Sequence, residues 1–198
     1  MDTEAHARIP PLEPPYGDDV QALLNRWMAA APDHEPLKLF RVLASHAELA
    51  AAMGAMGALI LGRPLVAPRE REIVIHRTTA RCDAEYEWGV HAVAFGAPLG
   101  LSDRQLAATV RGVADDAVWS EREALLLRMS DELHDAADLT DELWRELERH
   151  WTHPQLLELI VKAGWYRLIS QVLRSTRVEA EPWAARFPAE TAVEGSAA

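Results

Sequence analysis

The sequence PREREIVIHRTTARCDAEYEWGVHAVAF, residues 68–95, decides the fold of this chain. It predicts two consecutive α-helices. Pro68 fits the first turn of the first helix, because its missing N–H would have no partner there in any case. This helix ends near residues 81–83, and Asp83 is the predicted N-cap of the second helix. Carboxylates, imidazoles and the only cysteine of the chain therefore lie on two neighbouring helices.

Two glutamate–histidine pairs in this stretch are spaced to share a helix face. Glu72 precedes His76, and Glu87 precedes His91, by four residues each, so each pair lies one turn apart. If the two helices pack antiparallel, Glu72 approaches His91 from the side opposite Glu87. Neighbouring carboxylates raise the pKa of an imidazole and burial lowers it. We predict a balance near neutrality, where general acid/base catalysis works best.

Structural interpretations of the same residues are simpler. Glu87 and His91 can form an exposed helix pair, which contributes about 0.2–0.5 kcal/mol, and His76 can be a core histidine. However, Trp88 and Val90 make the second helix apolar on most sides. A buried glutamate or histidine needs a partner, because an unpaired buried charge is costly. This favours a functional pair.

The pattern resembles the carboxymuconolactone decarboxylase family, which includes the alkylhydroperoxidase D-like (AhpD-like) enzymes. The resemblance lies in Glu72, a small residue at Ala84, and the string Glu87-Trp88-x-x-His91. In the AhpD-like branch two cysteines precede the histidine, and here Ala84 and Glu87 stand at their positions. The chain is therefore similar to the cysteine-poor branch. The resemblance implies an all-α AhpD-like fold and a homotrimer or hexamer.

The resemblance also implies an activity without a cofactor. It points to decarboxylation or isomerisation of a small oxygenated carbon acid or lactone. His91 would be the general acid/base, Glu87 would orient it and stabilise its charge, and Glu72 would relay protons. The residues that we expect to contact this small-molecule substrate are Arg81 (or Arg77), Tyr86 and Trp88.

Three alternatives remain open. The first is a peroxidase-like redox protein that uses Cys82, whose thiol pKa would be lowered by Arg81 and the helix start. A single cysteine is otherwise an inert packing residue. A two-cysteine cycle would lack a resolving partner in this chain. The second is a non-catalytic oligomeric helical protein. The third is a site for iron, zinc or manganese between facing helices, with the ligands Glu72, His76, Glu87 and His91.

Composition excludes several classes of protein. The chain has 198 residues, 49% of them hydrophobic, which is enough for one domain with a core. Lys and Arg number 20 against 31 Asp and Glu, and the net charge of −11 argues against a nucleic acid or an anionic membrane as partner. One cysteine cannot form an internal disulfide. We expect no signal peptide, because residues 1–19 show neither a basic nor an apolar region of that kind, and no apolar run is long enough to span a bilayer. We expect a soluble, cytoplasmic protein.

The chain divides into an extended N-terminal arm (1–17), a single domain (18–178) and a C-terminal tail (179–198). Trp183 and Phe187 are expected to anchor the tail, and residues 191–198 to be loose. A weak repeat relates PREREIVIHR (68–77) to SEREALLLR (120–128), which fits a duplicated helical unit. Three capping boxes predict helix starts, and they are Ser45–Glu48, Ser102–Gln105 and Ser120–Glu123.

Two further helices carry specific predictions. The Ala-, Met- and Gly-rich segment 47–61 is expected to be a tightly packed core helix, or else the wall of a pocket lined by Met53 and Met56. The segment 155–174 is a long helix with a continuous apolar stripe that should face the core. The stripe consists of Leu157, Ile160, Val161, Gly164 and Leu168.

Overall fold

The computed structural model describes residues 6–29, 31, 33–62 and 65–189. Within these ranges the chain is all-α and has no strand, as predicted. A π-helical turn, Ala92–Gly96, continues the fifth helix. The α-helices are α1 (Asp18–Trp27), α2 (Lys38–Leu43), α3 (Ala47–Gly62), α4 (Pro68–Arg81), α5 (Glu85–His91), α6 (Asp103–Arg111), α7 (Glu121–Ala136), α8 (Asp141–Leu147) and α9 (His153–Thr176).

Helix α4 is the centre of the fold. It packs against α5, α6, α7 and α9, and every residue from Arg71 to Thr79 is buried. A helix that is buried all round belongs in the core. Its polar side chains must therefore find partners on the surrounding helices, and this requirement builds the candidate site.

The predicted capping boxes have mixed outcomes. Ser102 and Ser120 accept hydrogen bonds from the backbone N–H groups three residues on and start α6 and α7, as expected. The box at Ser45 is wrong. Its hydroxyl donates to the carbonyl of Val42 instead, and Nδ1 of His46 accepts from the backbone N–H of Leu49 at 3.3 Å. The imidazole of His46 therefore caps the start of α3.

The predicted N-cap at Asp83 is also wrong. Asp83 has a φ of 53°, a left-handed conformation that ends α4. Its carboxylate pairs with Arg174 of α9. Ala84 stands at the N-cap position of α5, without a side-chain hydrogen bond. The turn is therefore stabilised by a contact with a distant helix that the local sequence does not reveal.

Helix α3 is not the tightly packed core helix that its small residues suggested. Its buried residues are Ala50 and Ile60, whereas Leu59 is 71% exposed. Met53 packs against core side chains and Met56 is exposed. The two methionines therefore do not face a common pocket.

The predicted core stripe of α9 is wrong as well, since Leu157 is 63% and Leu168 41% exposed. The side of the helix that faces the core includes Lys162, which is fully buried and donates from Nζ to the carbonyl of Ile60 at 2.8 Å. Because Lys162 is polar, the pattern of apolar residues did not identify this side of the helix as the buried one. The buried residues are Leu156, Leu159, Lys162, Ala163, Tyr166, Ile169, Ser170 and Leu173.

The described part of the tail, residues 179–189, contacts α5. Phe187 packs on Trp88 with ring centroids 5.4 Å apart, so this predicted anchor is confirmed. Trp183 is 48% exposed and does not anchor the tail. A Cβ added to Gly89 would lie 2.0 Å from the carbonyl oxygen of Ala185, so only glycine admits the tail at this distance. The loose end predicted for residues 191–198 lies outside the described residues.

The described part of the N-terminal arm, residues 6–17, packs on its own chain. The backbone N–H of Arg8 donates to the carbonyl of Thr176 at 2.7 Å, and Leu12 and Tyr16 pack beside α1. Helices α4 and α7 pack against each other, but the proposed internal repeat is not confirmed. Across the described part of the chain, no helix combines the length and apolarity needed to cross a membrane.

Candidate active site

The imidazole of His91 lies between two carboxylates. Its Nδ1 is 2.8 Å from Oε2 of Glu72, and its Nε2 is 3.6 Å from Oε1 of Glu87. The arrangement predicted from the spacing is thus confirmed. The distances change one detail, because the short hydrogen bond that orients the ring comes from Glu72 and not from Glu87.

All three side chains are buried. Glu72 is fully inaccessible, His91 is 5% exposed and Glu87 is 7% exposed. This excludes the simpler interpretation of Glu87 and His91 as an exposed helix pair. A buried cluster of this kind persists only when its charges compensate one another, and Arg71 contributes by donating from Nε to Oε1 of Glu72 at 3.2 Å.

The two partners shift each other's pKa in opposite directions. Burial raises the pKa of Glu72, but the charge of His91, their hydrogen bond and the charge of Arg71 lower it below its ordinary value. For His91, burial lowers the pKa, while the charge and hydrogen bond of Glu72, and then Glu87, raise it to about 9. The predicted value near neutrality is therefore wrong. At neutral pH the ring is an imidazolium with a proton on both nitrogens, and Nδ1 donates to Glu72.

His76 is a core histidine of a different kind. It is fully buried, and its Nδ1 lies 2.7 Å from the backbone carbonyl oxygen of Glu72. Burial, and then the charge of His91, lower its pKa to about 4. The ring is therefore neutral, with the proton on Nδ1, and its Nε2 has no hydrogen-bonding partner among the described residues.

The metal-binding alternative gains no geometric support. In the parts of the chain that the structure describes, no group of three or more His, Cys, Asp or Glu side chains is arranged to hold a metal ion. The carboxylate of Glu72 is engaged by His91 and Arg71, and Nδ1 of His76 by a backbone carbonyl. The side chains in question are Glu72, His76, Glu87 and His91.

Two aromatic rings that the motif did not reveal complete the surroundings of His91. Tyr166 of α9 meets the imidazole edge to face, with centroids 5.1 Å apart. Phe95 of the π-helical turn also packs on the imidazole of His91, with ring centroids 5.0 Å apart, and is 38% exposed. Phe95 shares the helical stripe of His91, so spacing could have found it. Tyr166 is remote in sequence and carries no local signal.

The predicted arginine contacts lie elsewhere. Arg77 forms a bidentate ion pair with Asp131 and donates to two backbone carbonyls. Arg81 pairs with Asp131 and Asp135. Both guanidinium groups tie α4 to α7, so the geometry gives no support to either as a substrate-binding residue.

Tyr86 and Trp88 are also engaged in the core. The hydroxyl of Tyr86 donates to Oε1 of Glu181 at 2.6 Å and accepts from the backbone N–H of Leu39 at 3.1 Å. Trp88 donates from Nε1 to Oγ1 of Thr109 at 3.0 Å. Neither polar group is free for a substrate, and both instead hold α5 to its neighbours.

The thiol of Cys82 lies apart from the carboxylate cluster. Its Sγ is 3.8 Å from Nδ1 of His134. Burial raises the pKa of Cys82, despite opposing contributions from Ser170 and nearby arginines. The lowered thiol pKa suggested by Arg81 is therefore wrong, and the activated form of the thiol is suppressed.

The fold is that of AhpD-like proteins. No family model and no curated protein matches the chain. An uncharacterized peroxidase-related protein from Silicibacter sp. TM1040 is 17% identical with a TM-score of 0.73, over 90% of this chain and 93% of that one. The alkylhydroperoxidase AhpD core of a peroxidase-related protein from Ralstonia eutropha JMP134 is 18% identical with a TM-score of 0.70, over 90% and 95%.

A third similar structure is that of a debrominase. It is a cysteine-to-alanine variant of the debrominase Bmp8 in complex with 2,3,4-tribromopyrrole, 12% identical with a TM-score of 0.71 over 90% of this chain and 94% of that one. Proteins of this fold therefore include an enzyme. At these identities the similarity establishes the fold alone.

Proposed function

We propose that this protein is an enzyme that uses His91 and Glu87 as an acid/base pair on a small carbonyl compound, in a decarboxylation or isomerisation without a cofactor. One observation carries the proposal. The Nε2 of His91 faces a carboxylate that does not hold it in a short hydrogen bond, whereas Nδ1 is held at 2.8 Å by Glu72. One nitrogen is fixed and the other is available for proton transfer.

The roles follow from these contacts. Glu72 orients the ring and keeps it charged. Glu87 removes a proton from the carbon next to a substrate carbonyl, Nε2 of His91 gives its proton to the carbonyl oxygen, and an enol results. With a β-keto acid, the electrons of the breaking C–C bond form the enol as CO₂ leaves, and the oxygen again takes the proton of His91. As the enol returns its proton to Nε2, the carboxyl group of Glu87 protonates the carbon. Glu87 holds the proton taken from the substrate in an isomerisation, and a proton taken up from solvent in a decarboxylation.

Thiol peroxidase chemistry has less support. Ala84 and Glu87 occupy the two positions at which the resembling enzymes carry cysteines. Cys82 is half-buried, and its pKa is raised. The non-catalytic alternative would fit an apolar cavity around His91, but the ring instead lies among charged groups.

Exchange of carbon-bound hydrogen tests the proposal without knowledge of the substrate. Acetoacetate and γ-butyrolactone are incubated with the protein in D₂O and followed by ¹H NMR. Because the Glu87 proton exchanges with solvent, enolisation replaces hydrogen next to the carbonyl with deuterium. We expect exchange above the buffer rate with the wild type and its loss in His91→Gln. No exchange with either probe, or equal exchange by the variant, would contradict the proposed function.

We also propose that the protein forms a homotrimer or a multiple of it. The support is a set of exposed apolar side chains that a second copy of the chain would cover. They are Leu49, Leu59 and Leu61 of α3 and Leu157 and Leu168 of α9. Light scattering at micromolar concentration should give the mass of a trimer or of a multiple of it. A monomer would rule this assembly out.

A further inference from the structure

Arg71 is a buried cation of α4 whose contacts lead directly to the acid/base pair. It is 9% exposed, and its Nε donates to Oε1 of Glu72 at 3.2 Å. Its Nη1 donates to the backbone carbonyl oxygen of Leu61, in the last turn of α3, at 3.3 Å. The other oxygen of Glu72, Oε2, lies 2.8 Å from Nδ1 of His91. Three hydrogen bonds in series therefore connect the end of α3 with the imidazole.

The two oxygens of the Glu72 carboxylate have different partners, and this division fixes the plane of the group. The terminal torsion of a glutamate side chain is broad, so a carboxylate held at one oxygen can turn about it. With Arg71 on Oε1 and His91 on Oε2, the same rotation would break two charge-assisted hydrogen bonds.

We infer that Arg71 is a positioning residue, which holds the carboxylate of Glu72 in the plane that directs Oε2 at Nδ1 of His91. Its effect on the rate rests on the proposed function, in which Nε2 of the same ring gives its proton to the substrate oxygen. A ring that tilts moves Nε2 away from that oxygen, and small misplacements of a catalytic group lower rates strongly. The last turn of α3 belongs to this support, because the carbonyl of Leu61 holds the guanidinium.

Another buried arginine provides the comparison. Arg41 of α2 is 5% exposed, its Nη1 donates to the backbone carbonyl of Leu12 at 3.1 Å, and it pairs with the exposed carboxylates of Glu13 and Glu35. Like the arginine of the site, it joins carboxylates to the backbone of another segment. Its carboxylate partners are different ones from the group that holds His91, so it serves as the control.

Substitution of Arg71 by Gln and by Met separates its hydrogen bond from its charge. Both side chains are neutral, but the nitrogen of Gln is as many bonds from Cα as Nε of arginine, so it can still donate to Glu72. We expect Arg71→Met to slow deuterium exchange of acetoacetate by about 10²-fold, and Arg71→Gln to restore most of the rate. Arg41→Met should lower the stability in urea, because it breaks buried ion pairs, and retain the exchange rate.

The proton on Nδ1 of His91 gives a second measurement, which needs no substrate. In protein labelled with ¹⁵N-histidine, a proton in a 2.8 Å bond to a carboxylate gives an NMR signal at low field. This signal should move upfield in Arg71→Met, as the bond loosens, and stay in place in Arg71→Gln and Arg41→Met.

The two measurements separate this inference from the proposed function. If the wild type does not exchange acetoacetate, the proposed function is overturned and the signal alone decides the role of Arg71. An unchanged signal in a folded Arg71→Met variant, or an unchanged rate where the wild type is active, would overturn that role. Displacement of the signal in Arg71→Gln would also overturn it, even if Arg71→Met does not fold, because the charge and not the hydrogen bond would then be responsible.

Discussion

Helix α4 contributes to two histidine contacts that behave in opposite ways. Near its start, Glu72 holds His91, whose pKa is raised to about 9. At its end, Cys82 lies beside His134, whose pKa is lowered by burial and by Arg81 and Arg167, against Asp135 and Asp131. Burial lowers the pKa of both imidazoles, so the sign of the neighbouring charges decides the outcome.

The comparison explains where acid/base chemistry fits in this molecule. A ring between carboxylates is charged at neutral pH and can give a proton. A ring beside guanidinium groups is neutral, and it does not stabilise a thiolate as an imidazolium would. The carboxylate cluster is therefore the candidate site, and the contact of Cys82 with His134 is a packing contact.

The largest expected difference between the two regions is in activity. His91→Gln should reduce the rate of carbonyl exchange by about 10²–10⁴-fold, the usual contribution of a general acid/base. His134→Gln changes the same residue type in the other region and should leave the rate within the error of the assay. Both are measured by deuterium incorporation. Equal losses in the two variants would remove the distinction on which the site assignment depends.

The next difference is in the pH dependence of stability. The pKa of His91 is raised from 6.5 to about 9, so its contribution to the free energy of unfolding is complete below pH 6.5 and is lost as the pH rises through about 9. His76 has a pKa lowered to about 4, so its contribution is complete above pH 6.5 and is lost as the pH falls towards 4. Stability should therefore be highest near pH 6.5.

Glu72→Gln tests the cause of the alkaline loss. Without the carboxylate charge, the pKa of His91 should fall and the decline of stability between pH 6.5 and 9 should shrink. Asp131→Asn, which weakens the ion pairs of α4 with α7, should keep that decline. Urea unfolding at a series of pH values measures both. A decline that persists in Glu72→Gln would show that another group titrates there.

The smallest effect is expected at the thiol. Cys82→Ser should leave carbonyl exchange unchanged, because the thiol lies outside the carboxylate cluster. The wild-type thiol should also react with iodoacetamide at neutral pH more slowly than a free cysteine does, since its pKa is raised. Loss of exchange in a folded Cys82→Ser variant would contradict the assignment of the activity to His91.

Much of the fold was predictable because its signals are local. The helical pattern of residues 68–95, the capping boxes at Ser102 and Ser120, and the shared face of Glu87 and His91 depend on spacings of three or four residues. The approach of Glu72 to His91 needed one further assumption, that consecutive helices pack together. These predictions agree with the structure.

The wrong predictions concern residues whose structural role depends on a partner distant in sequence. Asp83 pairs with Arg174, and Lys162 is buried because it reaches the carbonyl of Ile60. Neither partner is visible in the local pattern. Counting apolar residues placed the stripe of α9 on the wrong side for this reason, since a charged residue can be buried once its donors are satisfied.

The sequence by itself determined the helical class and brought His91 and Glu87 onto one face, because backbone geometry alone sets which residues share a helical turn. Only the tertiary structure decided the chemistry of that face. It placed the charge of Glu72 at Nδ1 of His91 and the aromatic ring of Tyr166 against the imidazole. Electrostatic interactions and hydrogen bonds depend on distance in space, and a pKa depends on them together with burial.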